Sequence, residues 1–401
     1  MNQDGDHFCQ YYLPGELKAL TAEALLTGSW QRFERKTMKK KAMVFFCILA
    51  SLFLVSCAAA SGAATTNTPS QASQTPFPVP PQITLSPGAS SSVADYFPIA
   101  ENTLYKYLGS GNEYASYTVF IEYAAGRKVQ QRVDNGGTVM AKVIKIENSK
   151  AARVLSSGEA YVRQNYLNAT ETEEEILLME PIKAGTTWTV KESIERTITS
   201  ADIVISTPLG NYHAVEVVTK GPDSQTVDYY AKDVGLVKSV FLSGDTEITS
   251  SLQSIQEDVP LVQKARFYYP GSDGKTLYFV EKELSFRTND SPAAVLEAAY
   301  RQDPGKQAKA SLTPASKINS LQKNEDGTAL IDLNQAFLTE MNAGAQYETL
   351  ILQSIANTVG AFYQTDRVLL TIDQKPYASG HISLKKGDTL EVKLEDAVEI
   401  Q

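Results

Sequence analysis

The sequence predicts an α+β protein in two folded parts: an all-β antiparallel sheet domain over residues 95–260 and a small α+β sandwich over 261–401. Three observations carry this. Between residues 95 and 256, short runs rich in tyrosine and β-branched residues recur between turn signals, and no stretch has a helical period. From Lys264 onward, strand-like runs alternate with two helical patterns. Ahead of both lie 37 uncharged residues, 58–94, rich in Ala, Ser, Thr, Pro and Gln, which cannot bury enough apolar surface to fold.

In the first part, Tyr117, Val119, Ile121 and Tyr123 alternate with Thr118 and Glu122, the period of a half-buried strand, with Phe120 as the exception. Asp134-Asn135-Gly136-Gly137 reads as a hairpin turn. Further strands are expected at 161–166, 203–206, 212–219, 226–231, 236–242 and 247–255. Together they suggest a curved antiparallel sheet or open barrel.

In the second part, residues 265–269 and 277–280 read as a hairpin around Pro270-Gly271-Ser272-Asp273-Gly274. Ser291-Pro292 offers an N-cap and a first-turn proline for a helix over 293–302. A short strand follows at 330–333. Tyr347, Leu350, Ile351, Ile355, Val359 and Phe362 then set one apolar face of a helix over 346–364. A strand at 367–372 completes a β-β-α-β-α-β order with helices on one sheet face.

The N-terminal region carries an address. Met38-Lys39-Lys40-Lys41 precedes an apolar run of 14 residues, 42–55, and Leu54-Val55-Ser56-Cys57 fits the lipobox pattern of a bacterial lipoprotein signal. The run is shorter than the roughly 20 residues that span a bilayer. Residues 38–57 are therefore expected to be a signal peptide, with Cys57 as the lipidation site and residues 1–37 as a mis-called start or extended n-region. Lipidation would hold the protein at the outer face of the cytoplasmic membrane. The tether 58–94 could reach at most about 120 Å, with a coil average nearer 30 Å.

Composition excludes several classes of function. Residues 1–56 hold 7 basic and 5 acidic side chains, which leaves 30 basic and 41 acidic in the remainder, a net of −11. So acidic a chain is a poor nucleic-acid ligand and gains nothing from anionic head groups. Cys9 and Cys47 fall in or before the signal, so the folded parts have no thiol chemistry. His213 and His381 lie in different parts and offer no acid–base or metal pair. Gly271-Ser272-Asp273-Gly274-Lys275-Thr276 ends like a phosphate loop but lacks its first glycine and its helix. Glu171, Glu173, Glu174 and Glu175 form an acidic run without calcium-ligand spacing. No catalytic residue, metal ligand or cofactor is expected, and the chain does not read as an enzyme.

Residues from Ala265 to about Gly387 resemble the GerMN domain of sporulation and germination proteins. The resemblance rests on Arg266-Phe267-Tyr268-Tyr269-Pro270, on Gly327-Thr328-Ala329-Leu330-Ile331-Asp332-Leu333-Asn334-Gln335-Ala336-Phe337, on the helix core Leu350 through Val359 leading to Val368-Leu369-Leu370-Thr371-Ile372-Asp373, and on Ser379-Gly380-His381-Ile382. Arg301-Gln302-Asp303-Pro304-Gly305 departs from the family's usual turn after the first helix. The resemblance implies a non-catalytic interaction module similar to the ring-building motif of secretion and sporulation machines. Envelope protein partners follow from it, with homo-oligomerisation as a further expectation. The exposed side of helix 346–364 is the candidate contact. Asp332 and Asn334 read as turn and capping residues. The tyrosines of 95–256 motivate a second reading, a container for a small or lipidic ligand.

Overall fold

The computed structural model describes residues 91–191 and 194–400. The signal, Cys57 and the tether up to residue 90 lie outside the described residues. The protein is mostly β, with a large antiparallel near-barrel and few helices.

Twelve strands form one antiparallel meander. The first six are β1 (Leu104–Ser110), β2 (Tyr117–Ala125), β3 (Lys128–Asp134), β4 (Val139–Ile146), β5 (Lys150–Ser157) and β6 (Glu175–Met179). The rest are β7 (Thr187–Lys191), β8 (Ile194–Thr207), β9 (Gly210–Lys220), β10 (Gln225–Ala231), β11 (Gly235–Ser243) and β12 (Thr246–Gln256). Because β1 also pairs with β12, the two ends of the meander meet and the free edges fall on consecutive strands, β6 and β7. Side chains cover this seam. Trp188 Nε1 and Arg196 Nη1 both donate to the Ile176 carbonyl, at 3.0 and 2.6 Å. One carbonyl of β6 at the seam is thus occupied by side chains.

The β3–β4 hairpin follows its turn chemistry. Asp134 Oδ1 accepts from Gly136 N, Asn135 Oδ1 accepts from Gly137 and Thr138 N, and Gly136 takes φ +81°. The strand expected at 161–166 is absent. That segment is an irregular loop whose main chain is held by side chains of β3: Arg132 Nη1 donates to Ala160 O, Gln130 Nε2 to Gln164 O, and Tyr166 N to Gln130 Oε1. Side-chain partners replace the ladder that its residue types would otherwise seek.

The second part begins with the hairpin β13 (Leu261–Pro270) and β14 (Leu277–Phe286), followed by α1 (Pro292–Tyr300). Next come β15 (Ile318–Lys323), β16 (Ala329–Leu333), α2 (Ala336–Glu340), α3 (Ala345–Tyr363) and β17 (Arg367–Ile372). β16 and β17 are parallel, and α2 and α3 form the crossover between them. The short β18 (Lys375–Pro376) and β19 (Leu390–Glu391) pair with β17, and β20 (Ala397–Glu399) adds to β14. β15 is missing from the expected order because a bulge between Ile318 and Ser320 breaks its alternation. Phe267, Phe286, Leu296, Tyr300, Ile331 and Ile355 belong to one core shared by both small sheets and the helices.

Helix α3 is a buried strut, not a surface element. Ile351, Ile355 and Val359 of its apolar face are buried, with Ser354 and Thr358 on the same face, and Ala356, Asn357 and Gly360 on the other sides are buried as well. Thr358 Oγ1 accepts from Tyr268 N on the edge of β13, at 2.9 Å, and Asn357 bonds both the N–H and the carbonyl of Lys393. Gly360 permits the close approach of this tail, since a Cβ there would lie 2.3 Å from Val392. The expected exposed contact face is therefore reduced to the first turn, where Gln346 and Thr349 are exposed.

Candidate functional site

The near-barrel holds a partly open cavity of about 190 Å³. Inward positions alternate along each strand, which places Tyr105 and Tyr107 of β1, Tyr117 of β2 and Tyr230 of β10 on its wall. Tyr107 and Tyr117 stack at 4.5 Å, and Tyr107 donates its hydroxyl to Leu236 O at 2.7 Å. A 3₁₀ turn, Val93–Tyr96, leads into Phe97 and Pro98, which contribute further wall. This stopper is fixed by Val93 N donating to Glu180 Oε1, Asp233 N to Asp95 O, and the Lys232–Asp95 pair at 3.2 Å.

The wall also carries charge. Arg153 Nη2 and Arg196 Nη2 donate to the two oxygens of Glu175, at 2.5 and 2.9 Å. Burial pushes the Glu175 carboxyl up, but the two guanidinium groups outweigh it and hold it below the usual range. Asp228, on β10 between Thr226 and Tyr230, also lines the cavity and accepts a hydrogen bond from Ser239 Oγ at 2.6 Å. Its burial raises its pKa, against the opposing pull of Arg196 and Ser239.

A second polar cluster joins the two folded parts. A bulge in β2 at Ile121–Tyr123 leaves Glu122 outside the pairing with β3. The segment after β14 docks there: Asn289 N donates to Glu122 O, Ala124 N to Asn289 Oδ1, and Thr288 Oγ1 to Ile121 O, all within 2.7–2.9 Å. Arg163, fully buried, donates from Nη2 to both Glu122 O and Arg287 O at 2.9 Å. Its guanidinium lies 4.6 Å from the centre of the Tyr123 ring and 4.8 Å from that of Phe286.

The residues weighed in the sequence are dispersed. Cys57 lies outside the described residues. His213 pairs with Asp202 at 2.7 Å on the exposed β8–β9 hairpin, and His381 is in an exposed turn. The acidic run is occupied by cations: Glu171 pairs with Lys128, Glu173 with Arg153, Glu174 with Lys150, and Glu175 as above. The segment 271–276 is the β13–β14 turn, where Asp273 accepts from Lys275 N, Thr276 N and Thr276 Oγ1. These donors lower its pKa to about 2. Asp332 staples β16 to β15 and β17, accepting from Asn319, Thr371 and Gln374 N. Among the described residues there is no metal-ligand cluster, and no helix is long and apolar enough to cross a membrane.

Sequence reasoning missed the charged cavity wall. A signal was present: Thr226, Asp228 and Tyr230 occupy alternate positions, so an inward tyrosine implies an inward aspartate.

Residues 266–378 match the Germane family, described as sporulation and spore germination. No curated protein matches the chain. Solved structures similar to it include the tandem GerMN domains of the sporulation protein GerM from Bacillus subtilis, at 19% identity, 33% of this chain, 46% of that one and a TM-score of 0.25. The chain thus spans less than half of that tandem structure. The first GerMN domain alone matches at 21% identity over 33% of this chain and 99% of that one, with a TM-score of 0.25. A candidate lipoprotein from Clostridium perfringens matches at 17% identity, over 33% and 94% of the two chains, with a TM-score of 0.21. On the family match, the chain carries a GerMN-like domain of the sporulation and spore germination family in its last third.

Proposed function

We propose that this protein is a lipid-anchored accessory protein on the outer face of the cytoplasmic membrane, acting through protein–protein contacts in sporulation, germination or envelope maintenance. The observation that carries this reading is the Germane match over residues 266–378. The lipobox ending at Cys57 and the uncharged tether support it, because they would present that domain clear of the lipid surface. Polar groups in this domain are spent on structure: Asp273 on its turn, Asp332 on the strands beside β16, and Glu348 on Tyr377 and Ser379. The near-barrel is joined to the GerMN-like domain through Arg163 and Thr288. Crosslinking in intact cells, followed by purification of the full chain, should recover discrete envelope proteins. Recovery of only the most abundant membrane proteins, in proportion to their abundance, would overturn the reading.

A further inference from the structure

We propose that the free edge of β13 is a docking strip for an extended peptide of a partner protein, one in which acidic and apolar side chains alternate. The inference rests on the protein–protein reading above and names the surface that serves it.

The main chain supplies the first argument. A strand turns the N–H and C=O groups of successive residues to opposite sides, and β13 pairs with β14 in one unbroken register. Tyr268 N bonds Thr358 and Pro270 O bonds Lys309 N, so the even-numbered residues face away from β14. Val262, Lys264 and Arg266 share that direction on the last strand of the sheet, and among the described residues nothing bonds their main chain there. Three residues with open donors and acceptors are a template for one more strand.

Space is the second argument. A cleft of about 650 Å³ is lined by Gln263, Lys264 and Arg266, within the roughly 300–1,000 Å³ of ligand-binding clefts. Val162, Phe362, Val392 and Leu394 make its other walls apolar. Leu394 and Val262, the latter next along the edge, are themselves exposed.

Charge selects the occupant. The exposed side chains of Val262, Lys264 and Arg266 share one sheet face, where Ser285, Glu283 and Glu281 of β14 stand opposite them. Lys264 also bonds Glu281 at 3.0 Å, and Arg266 lies 5.1 Å from the centre of the Phe279 ring. The acidic row of β14 flanks the two cations on one side, and a strand on the other side matches them best with acids of its own. Asp366 and Glu395 on the far wall disfavour a peptide that is acidic throughout, so apolar residues take the alternate positions. A second copy of this chain suits the edge poorly. Two-fold antiparallel registers centred on Lys264 or Ala265 set Lys264 against itself or against Arg266, and like charges placed opposite destabilise.

The test is fluorescence polarisation of a labelled nine-residue peptide alternating valine and glutamate, titrated with the full chain in detergent. A second peptide has lysine in place of glutamate. The glutamate peptide should bind at least fivefold more tightly, and methylating its main-chain nitrogens should abolish binding. Lys264→Glu/Arg266→Glu should invert the preference. Equal binding of the two peptides, binding that survives methylation, or no binding by either (edge charges that only keep other strands away) would each overturn the proposal. Should the double variant lose its native circular dichroism, Val262→Pro serves instead. It removes one N–H at a position where an edge strand tolerates proline, and should weaken the glutamate peptide at least threefold; unchanged affinity again overturns the proposal. If neither peptide binds while crosslinking in intact cells still recovers discrete envelope proteins, the docking strip falls and the interaction reading stands.

Discussion

Arg163 shows how one side chain can set the relation between two folded parts. It sits on an irregular loop, is wholly buried, and bonds the main chain of both β2 and the residue after β14. Glu122, also buried, lies 3.9 Å from Arg163 and 3.7 Å from Arg132, and burial raises its pKa despite them. Replacing Arg163 with Met should therefore cost about 3–5 kcal/mol in urea unfolding, because Glu122 loses a compensating charge in the interior. The double variant Arg163→Met/Glu122→Gln should recover a large part of that loss. A cost below about 1 kcal/mol for Arg163→Met would show the pair to be incidental. None of this was legible beforehand: Glu122 occupies the outward position of an alternating strand, and only the fold reveals that a loop covers it.

At the scale of elements, periodicity located most of what packs by periodicity. The strand expected at 367–372 is β17, and the helix expected at 346–364 is α3 to within one residue at each end. β15 and the loop at 161–166 escaped because a bulge and side-chain bonds, respectively, override alternation. α3 escaped differently. Its apolar stripe was plain, yet Ala356, Asn357 and Gly360 on the remaining sides are also buried, which no single-helix pattern discloses. The bond from Tyr268 N to Thr358 Oγ1 caps the free edge of β13. Thr358→Val keeps the volume but leaves that N–H buried and unpaired, so it should destabilise by about 1–3 kcal/mol. Thermal unfolding of the two proteins side by side would measure it; equal midpoints would mean that water replaces the hydroxyl.

At the scale of the whole molecule, the tyrosines dictate a response to pH. Burial raises the pKa of Tyr107, Tyr117, Tyr230, Tyr269, Tyr300 and Tyr363 above the ordinary 10.0. Above pH 10 the unfolded chain releases these protons while the folded protein keeps them, so the folded state binds more protons and stability falls as pH rises. Below about pH 10 these groups are neutral in both states and add no slope. Urea midpoints should therefore drop steeply between pH 10 and 12. A flat profile there would mean that the phenols are not enclosed as the near-barrel and the GerMN-like core require.

The cavity's chemistry was half legible at this scale: the tyrosines suggested a container, but the charges meeting inside it come from five strands and converge only when the meander closes on itself. The proposed anchor, by contrast, is argued from the sequence alone, and with the Germane match it makes the central claim a claim about place and company. Proximity labelling from the full chain, in growing and in starved cells, tests that most directly, with Cys57→Ser as the comparison. The account predicts a defined set of labelled envelope proteins, enriched on starvation and lost in Cys57→Ser. The same labelled set with and without Cys57, unchanged by starvation, would contradict it.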